Sequence, residues 1–253
     1  MDHSIRLRTL AGDWMDAFLM GNGRIGGAVY GGVAQERIDL SEGTFFSGNA
    51  SENNNQKDAY KAFYEMRRLV SMGQYAEAKK AADAFIGRRL NYGTNLPVGR
   101  MLIDFFSARE DTTLTGYERT SHIMQGTVCV RYNHGDTRIE RETFVSKREN
   151  RLFYRIAVSD GAQIRCKIYF DGYGDAWSTA VEEGQYVFHT SARETMHSDG
   201  TTGGNLAGCF SVTRTDGRIA QDAGGIVVEG ASDIVLSLGM RTDYKRKTSG
   251  AGD

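Results

Sequence analysis

Glu140 and Glu142 stand two residues apart in a run that alternates like a β-strand, which places both carboxylates on one face, about 7 Å apart. Hydrolysis of a glycosidic bond with inversion needs two carboxyl groups roughly 6.5–9.5 Å apart, so the spacing meets that requirement. Arg138 and Arg141 lie beside them, and solvated ion pairs on an exposed face account for the same residues more simply. His189, Glu194 and His197 have the donor types of a metal or acid–base site. Eight residues span about 26 Å when extended, so these groups converge only if the chain turns back between them, and an ordinary polar surface is the reading taken. The run from Asp171 counts like a calcium loop, with Asp175 at position five and Glu182 at position twelve. Tyr173 and Ala176 occupy positions that need an oxygen ligand and a glycine, so no metal is assigned.

Gly21, Gly23 and Gly26 spell a literal G-x-G-x-x-G. A phosphate-cradling loop must open a helix, and each helix-interior glycine costs about 0.8–1 kcal/mol relative to alanine. Gly26, Gly27, Gly31 and Gly32 would all fall in the first turns, so no dinucleotide and no other cofactor is expected. Glycines instead allow a strand to begin in a tight turn and run close beside another backbone. Ile38 and Leu40 alternate with Arg37 and Asp39 just downstream, which predicts a β-hairpin.

The elements that must position these residues are mostly strands. Alternation predicts them over 127–132, 137–146, 152–158, 163–170, 186–190, 207–213 and 234–238, with turn chemistry at 133–136 and 215–218. Phe144, Tyr154, Phe170 and Phe210 are assigned to the core. Between 57 and 87 the apolar period changes to three and four residues through Tyr60, Phe63, Tyr64, Tyr75, Ala78, Ala82 and Phe85. Gly73 breaks this run and Gly87 closes it, which predicts two helices inserted against a sheet. Residues 51–55, 91–100 (with the single proline, Pro97), 171–175 and 197–205 read as loops, and 247–253 as a frayed linker. The fold expected is mainly β: one large antiparallel two-sheet β-sandwich spanning 1–253, with a small helical insertion.

Composition excludes several partners. Lys plus Arg total 31 against 32 acidic residues with no run of five like charges, so neither nucleic acid nor an anionic bilayer is expected. An apolar stretch of 18 residues, the length that crosses a membrane, does not occur. Cys129, Cys166 and Cys209 are odd in number and sit in strand-like runs, which favours free buried thiols and a reducing compartment. The N-terminal residues alternate charges without the apolar core of an export signal, and a cytoplasmic location is expected.

Trp14, the run from Leu19 to Gly26 and the run from Glu36 to Gly48 carry a more specific signal. They resemble the "PLGNGRLGA" and "ERIQLNEDTLWSG" segments that open the N-terminal domain of glycoside hydrolase family 95, in the same order and spacing. Ser41, Gly43 and Phe46 depart from that pattern, where the family has asparagine, an acidic or variable residue, and tryptophan. Similarity continues through Arg67, Gly73, Tyr75, Glu77 and Ala78, then 96–99, 117–119, 141–146, 230–236 and 241–244.

The resemblance implies a supersandwich of the galactose-mutarotase type from an inverting α-L-fucosidase-like enzyme. In that family a linker leads on to an (α/α)6 helical barrel holding the general acid and the residues that activate water. The sequence to Asp253 lacks a dozen successive amphipathic helices, so this chain is expected to hold no catalytic residue and to be inactive alone. Its expected partners are the helical catalytic domain and a fucosylated or related oligosaccharide, with self-association through an exposed interface. Asn22, Arg24, Glu42, Thr44 and Phe46 are the candidates for contact with substrate or with the neighbouring domain. Phe46 could stack on a pyranose ring or seat against the barrel, and both uses stay open. A free-standing carbohydrate-binding module, and a complete small hydrolase using Glu140 and Glu142, are the alternative functions.

Overall fold

The computed structural model describes residues 3–49, 56–86, 91–106, 113–159, 161–183, 185–201 and 203–244. The two predicted antiparallel sheets are both present. One runs in the order β1 (Ser4–Leu7), β6 (Leu114–His122), β7 (Thr127–His134), β8 (Thr137–Ser146), β9 (Arg151–Val158), β16 (Asp233–Thr242), β13 (Asn205–Thr215), β12 (Gln185–Ser191) and β11 (Trp177–Glu182). The other runs β14 (Arg218–Asp222), β15 (Gly225–Ala231), β10 (Ile164–Gly172), β5 (Asn95–Phe106), β4 (Gln35–Phe46), β3 (Ile25–Val29) and β2 (Phe18–Gly21).

Period-two alternation makes the sandwich. In β8, Ile139, Arg141 and Thr143 are buried while Arg138, Glu142 and Phe144 face out. Ile38, Leu40, Met101, Ile103 and Ile168 from one sheet and Leu152, Ile156, Leu236, Leu238 and Phe210 from the other are withdrawn from water. The predicted hairpin joins β3 to β4, which pair antiparallel from Ile25 opposite Glu42 to Val29 opposite Ile38, and β2 adds to it, from Phe18 opposite Val29 to Gly21 opposite Gly26. A Cβ on Gly26 would meet Ser41 Oγ at 2.5 Å, so a larger residue there would require the Ser41 side chain to rotate away.

An ion pair is buried between the sheets. Arg141 Nη1 lies 3.3 Å from Glu36 Oε2 and donates to Gly32 O at 2.7 Å. Glu36 Oε1 accepts from Gly31 N at 2.8 Å and Arg37 N at 3.1 Å, and Tyr154 OH donates to Oε2 at 3.2 Å. Burial raises the Glu36 pKa against the opposing pull of Arg141. The guanidinium sits 5.2 Å from both the Phe105 and Tyr132 ring centroids. Those π-faces accompany Arg141 Nε and Nη2, which have no hydrogen-bond partner among the described residues.

Three local expectations are corrected. Residues 91–100 are only partly loop, because β5 starts at Asn95. Pro97 lies near the start of this strand, and pairing with β10 begins beyond it, at Gly99 opposite Gly172. The 215–218 turn does not close a hairpin, because β13 and β14 belong to different sheets. Phe144 lies outside the core, 36% exposed and stacked on Phe153 with centroids 5.3 Å apart, because its parity in β8 is that of the outward residues.

The chain divides into two compact units. The first comprises Met1–Phe45, Leu96–Ser191 and Asn205–Asp253, and the second Phe46–Asn95 and Ala192–Gly204. In the second, α1 (Ala59–Ser71) and α2 (Tyr75–Phe85) are the two predicted helices, separated at Gly73, whose φ of 72° needs glycine. Phe63 meets Phe85 edge-on with centroids 5.9 Å apart. Residues 51–55, Gly87 and the 247–253 tail lie outside the described residues. No helix among the described residues is long and apolar enough to cross a membrane.

Candidate functional site

The turn between β2 and β3 positions the first candidate. Asn22 Oδ1 accepts from Arg24 N at 2.9 Å and Ile25 N at 2.8 Å, which folds the turn over its own side chain. Its Nδ2 donates to Ser146 O and to Asn150 Oδ1, each at 3.0 Å, tying the hairpin to the β8–β9 turn. Asn22 is therefore a positioning residue for Arg24.

Arg24 reaches across to β4. Its Nε donates to Glu42 Oε1 at 2.9 Å; the Arg24 side chain is 48% exposed and that of Glu42 0%. Register explains the meeting, because Ile25 lies opposite Glu42. Glu42 Oε2 accepts from Thr44 N at 2.6 Å and Thr44 Oγ1 at 2.7 Å. Thr44 thereby spends its hydroxyl proton on the carboxylate, so Thr242 is the donor in the 2.5 Å contact between the two threonine hydroxyls. The result is a polar chain, Arg24–Glu42–Thr44–Thr242, joining both sheets.

Its chemistry follows from what is already occupied. Both Glu42 oxygens already accept hydrogen bonds, so this carboxylate acts as a fixed acceptor that aims Arg24. A half-exposed guanidinium with further N–H groups is a donor set suited to hydroxyls or carboxylates. Phe46 belongs to the second unit, where its carbonyl accepts from Gly204 N at 2.8 Å and its side chain is exposed.

The chain is similar to known proteins in sequence and in fold. Residues 5–247 match the family model described as "Glycosyl hydrolase family 65, N-terminal domain". The chain belongs to this family. It is 31% identical over 159 residues to the Arabidopsis thaliana protein "Alpha-L-fucosidase 2", covering 63% of this chain and 18% of that protein. Among solved structures, the one named "Putative kojibiose phosphorylase from human microbiome" aligns over 96% of this chain and 33% of its own, with TM-score 0.50 and 8% identity, a likeness of fold alone. The chain thus spans a minor part of the relatives it matches. The family model names family 65 where the motifs resemble family 95, and both make the chain the N-terminal domain of a glycoside hydrolase.

Several other chemistry-bearing residues of this glycosyl hydrolase domain are held in ion pairs. Glu140 and Glu142 do share the outer face of β8, but Glu140 pairs with Arg138 at 2.5 Å and Arg131 at 3.3 Å. Arg141 turns inward to Glu36 instead of screening them. Asp171 is held by Arg100 at 2.7 Å. No cluster of three or more His, Cys, Asp and Glu suited to a metal occurs among the described residues. His189 pairs with Glu182 at 3.0 Å.

In the second unit the structure adds a group that sequence reasoning missed. The buried Ser47 donates to Glu194 Oε1 at 2.6 Å, and Glu194 Oε2 accepts from Met196 N at 2.6 Å and His197 N at 2.8 Å. The Ser47 hydroxyl leads in holding the Glu194 pKa below its ordinary value, followed among the favourable contacts by these backbone bonds. A serine and a glutamate separated by this much sequence leave no local signal, so only tertiary structure could pair them. Their bonds turn the 192–204 segment over itself and fix His197 beside Tyr92, with ring centroids 5.6 Å apart.

Proposed function

We propose that this chain is the non-catalytic N-terminal sandwich of an inverting α-L-fucosidase-like hydrolase of the family 95 type, packed against a helical catalytic domain and contributing one wall of its pocket. The Arg24–Glu42–Thr44 chain is the observation that carries the reading: a buried carboxylate aims a half-exposed guanidinium outward from the motif that resembles family 95. The identity with "Alpha-L-fucosidase 2" supports the sugar class. Arg24 would donate to a sugar hydroxyl or to a carboxylate of the catalytic domain, while Asn22, Glu42 and Thr44 hold its position.

The test is an assay on an aryl α-L-fucoside. The 253-residue chain is expected to give no turnover, and the polypeptide extended through its own coding frame to give turnover with inverted anomeric product. Hydrolysis by the short chain, abolished by Glu142→Gln, would replace this reading with that of a complete small hydrolase. Saturable binding of fucosylated oligosaccharides by the short chain alone would replace it with that of a free-standing binding module.

A further inference from the structure

The strap between β1 and β2 is ordered in a way that presents apolar side chains to water. The buried Arg119 of β6 holds it: Nε donates to Thr9 O at 2.8 Å, Nη1 to Asp16 O at 2.9 Å, and the guanidinium lies 5.1 Å from the Phe18 ring centroid. Inside the strap, Asp13 Oδ1 accepts from Met15 N at 2.7 Å and Asp16 Oδ2 from Gly12 N at 3.0 Å. Both carboxylates are thus spent on the short 3₁₀ turn Trp14–Asp16, none of whose residues is buried. Trp14 is 53% and Met15 81% exposed, and Ile5, Leu7, Leu10 and Leu19 on the flanking strap and strands are exposed too.

Ile5 and Leu7 pair opposite Ser121 and Arg119, so they share the side of the sheet that faces the interior. Their exposure marks an edge where the described residues leave the sandwich interior uncovered. Fixing a large side chain costs up to about 2 kcal/mol of rotamer entropy, and apolar area returns free energy only when something covers it. A run of exposed apolar groups on a well-pinned strap is the signature of a contact surface.

We propose that this edge is the docking surface for a further domain of the same polypeptide, an inference that rests on the reading of the chain as an N-terminal domain. The relatives argue for that occupant, because this chain spans 18% of the Arabidopsis protein and 33% of the phosphorylase chain, leaving most of each outside the matched region.

Trp14 reports on its own surroundings, since the sequence holds 2 tryptophans and Trp177→Phe removes the other. In that background, acrylamide should quench Trp14 freely in the 253-residue chain. In the extended polypeptide quenching should fall severalfold and emission shift to the blue. Equal quenching in an extended protein that still hydrolyses fucosides overturns the docking surface and leaves the proposed function intact. Shielding of Trp14 in an extended protein without that activity supports the surface and removes the fucosidase reading. Shielding in the short chain that grows with concentration assigns the edge to a second copy, and a frame encoding no further domain removes its occupant; each overturns the proposal. Met15→Glu gives an independent readout. It should leave the unfolding midpoint of the short chain unchanged and lower that of the extended protein, and an unchanged midpoint in both overturns the proposal.

Discussion

Glu42 keeps its charge out of water because three donors from Arg24 and Thr44 meet its two oxygens. Removing the carboxylate with Glu42→Ala leaves the partly buried Thr44 amide and hydroxyl without their acceptor, a loss expected to be about 1–2 kcal/mol in urea unfolding. Arg24→Ala should cost about 1–2 kcal/mol, because it takes one of these three donors from the fully buried Glu42. No loss in either variant would contradict this pairing. Two other carboxylates make opposite predictions with pH. Asp216 accepts from Ser232 Oγ, Asp233 N and Ser232 N, and these bonds hold its pKa down at about 2 from 3.8. Its contribution is therefore complete above the ordinary value and lost as pH falls through about 2. Asp216→Asn should flatten the acid limb of the stability curve. Glu36 is shifted upward by burial, so its contribution is complete below its ordinary 4.5 and lost as pH rises through the raised value. Wild type should gain in urea midpoint over Glu36→Gln on going from about pH 7 to about pH 5, and parallel curves would contradict the buried assignment.

At the scale of elements, two glycines of one motif are needed for different reasons. Gly31 has a φ of 77°, and a Cβ there would meet Arg119 Cδ and Tyr117 OH at 2.6 Å; Gly23, at φ 89°, has nothing within 4 Å. Gly31→Ala should therefore cost more than Gly23→Ala, the latter paying about 1–2 kcal/mol for backbone conformation alone. Equal losses would show that sterics at Gly31 are relieved by movement. The helical pair is the weakest element. Only Leu69 is buried in α1 and only Ala78 in α2, and helices this short gain most of their stability from packing an apolar face. Amide exchange should be fastest in these helices and slowest in β9, β16 and β13, where interior strands pair on both sides. β8, with its clean alternation, was legible in the sequence to its last residue, and the other alternating strands to within a few residues at their ends. β5 was not, because a proline and a glycine near its start read as punctuation, and β1 and β2 were too short to show a period. The Glu42 segment was legible only through its motif, since nothing local says that Arg24 or Thr242 will meet it.

For the molecule as a whole, the three cysteines are free, with Cys129 and Cys166 buried and Cys209 partly exposed. A thiol reagent should label Cys209 first, and reductant should not shift the unfolding midpoint; a shift would reveal a bridge formed elsewhere. Length and alternation were enough to dictate a β-sandwich, because burying one face of every strand requires a second sheet. The same residues excluded a nucleotide loop, since clustered glycines cannot propagate a helix. What tertiary structure decided is everything that depends on two distant segments arriving together: Arg141 meeting Glu36, Ser47 meeting Glu194, and the strap pinned by Arg119. Sequence periodicity says which side of a strand a residue takes. It does not say what waits on that side, because strand order and sheet assignment are set by the joint burial of all the strands at once.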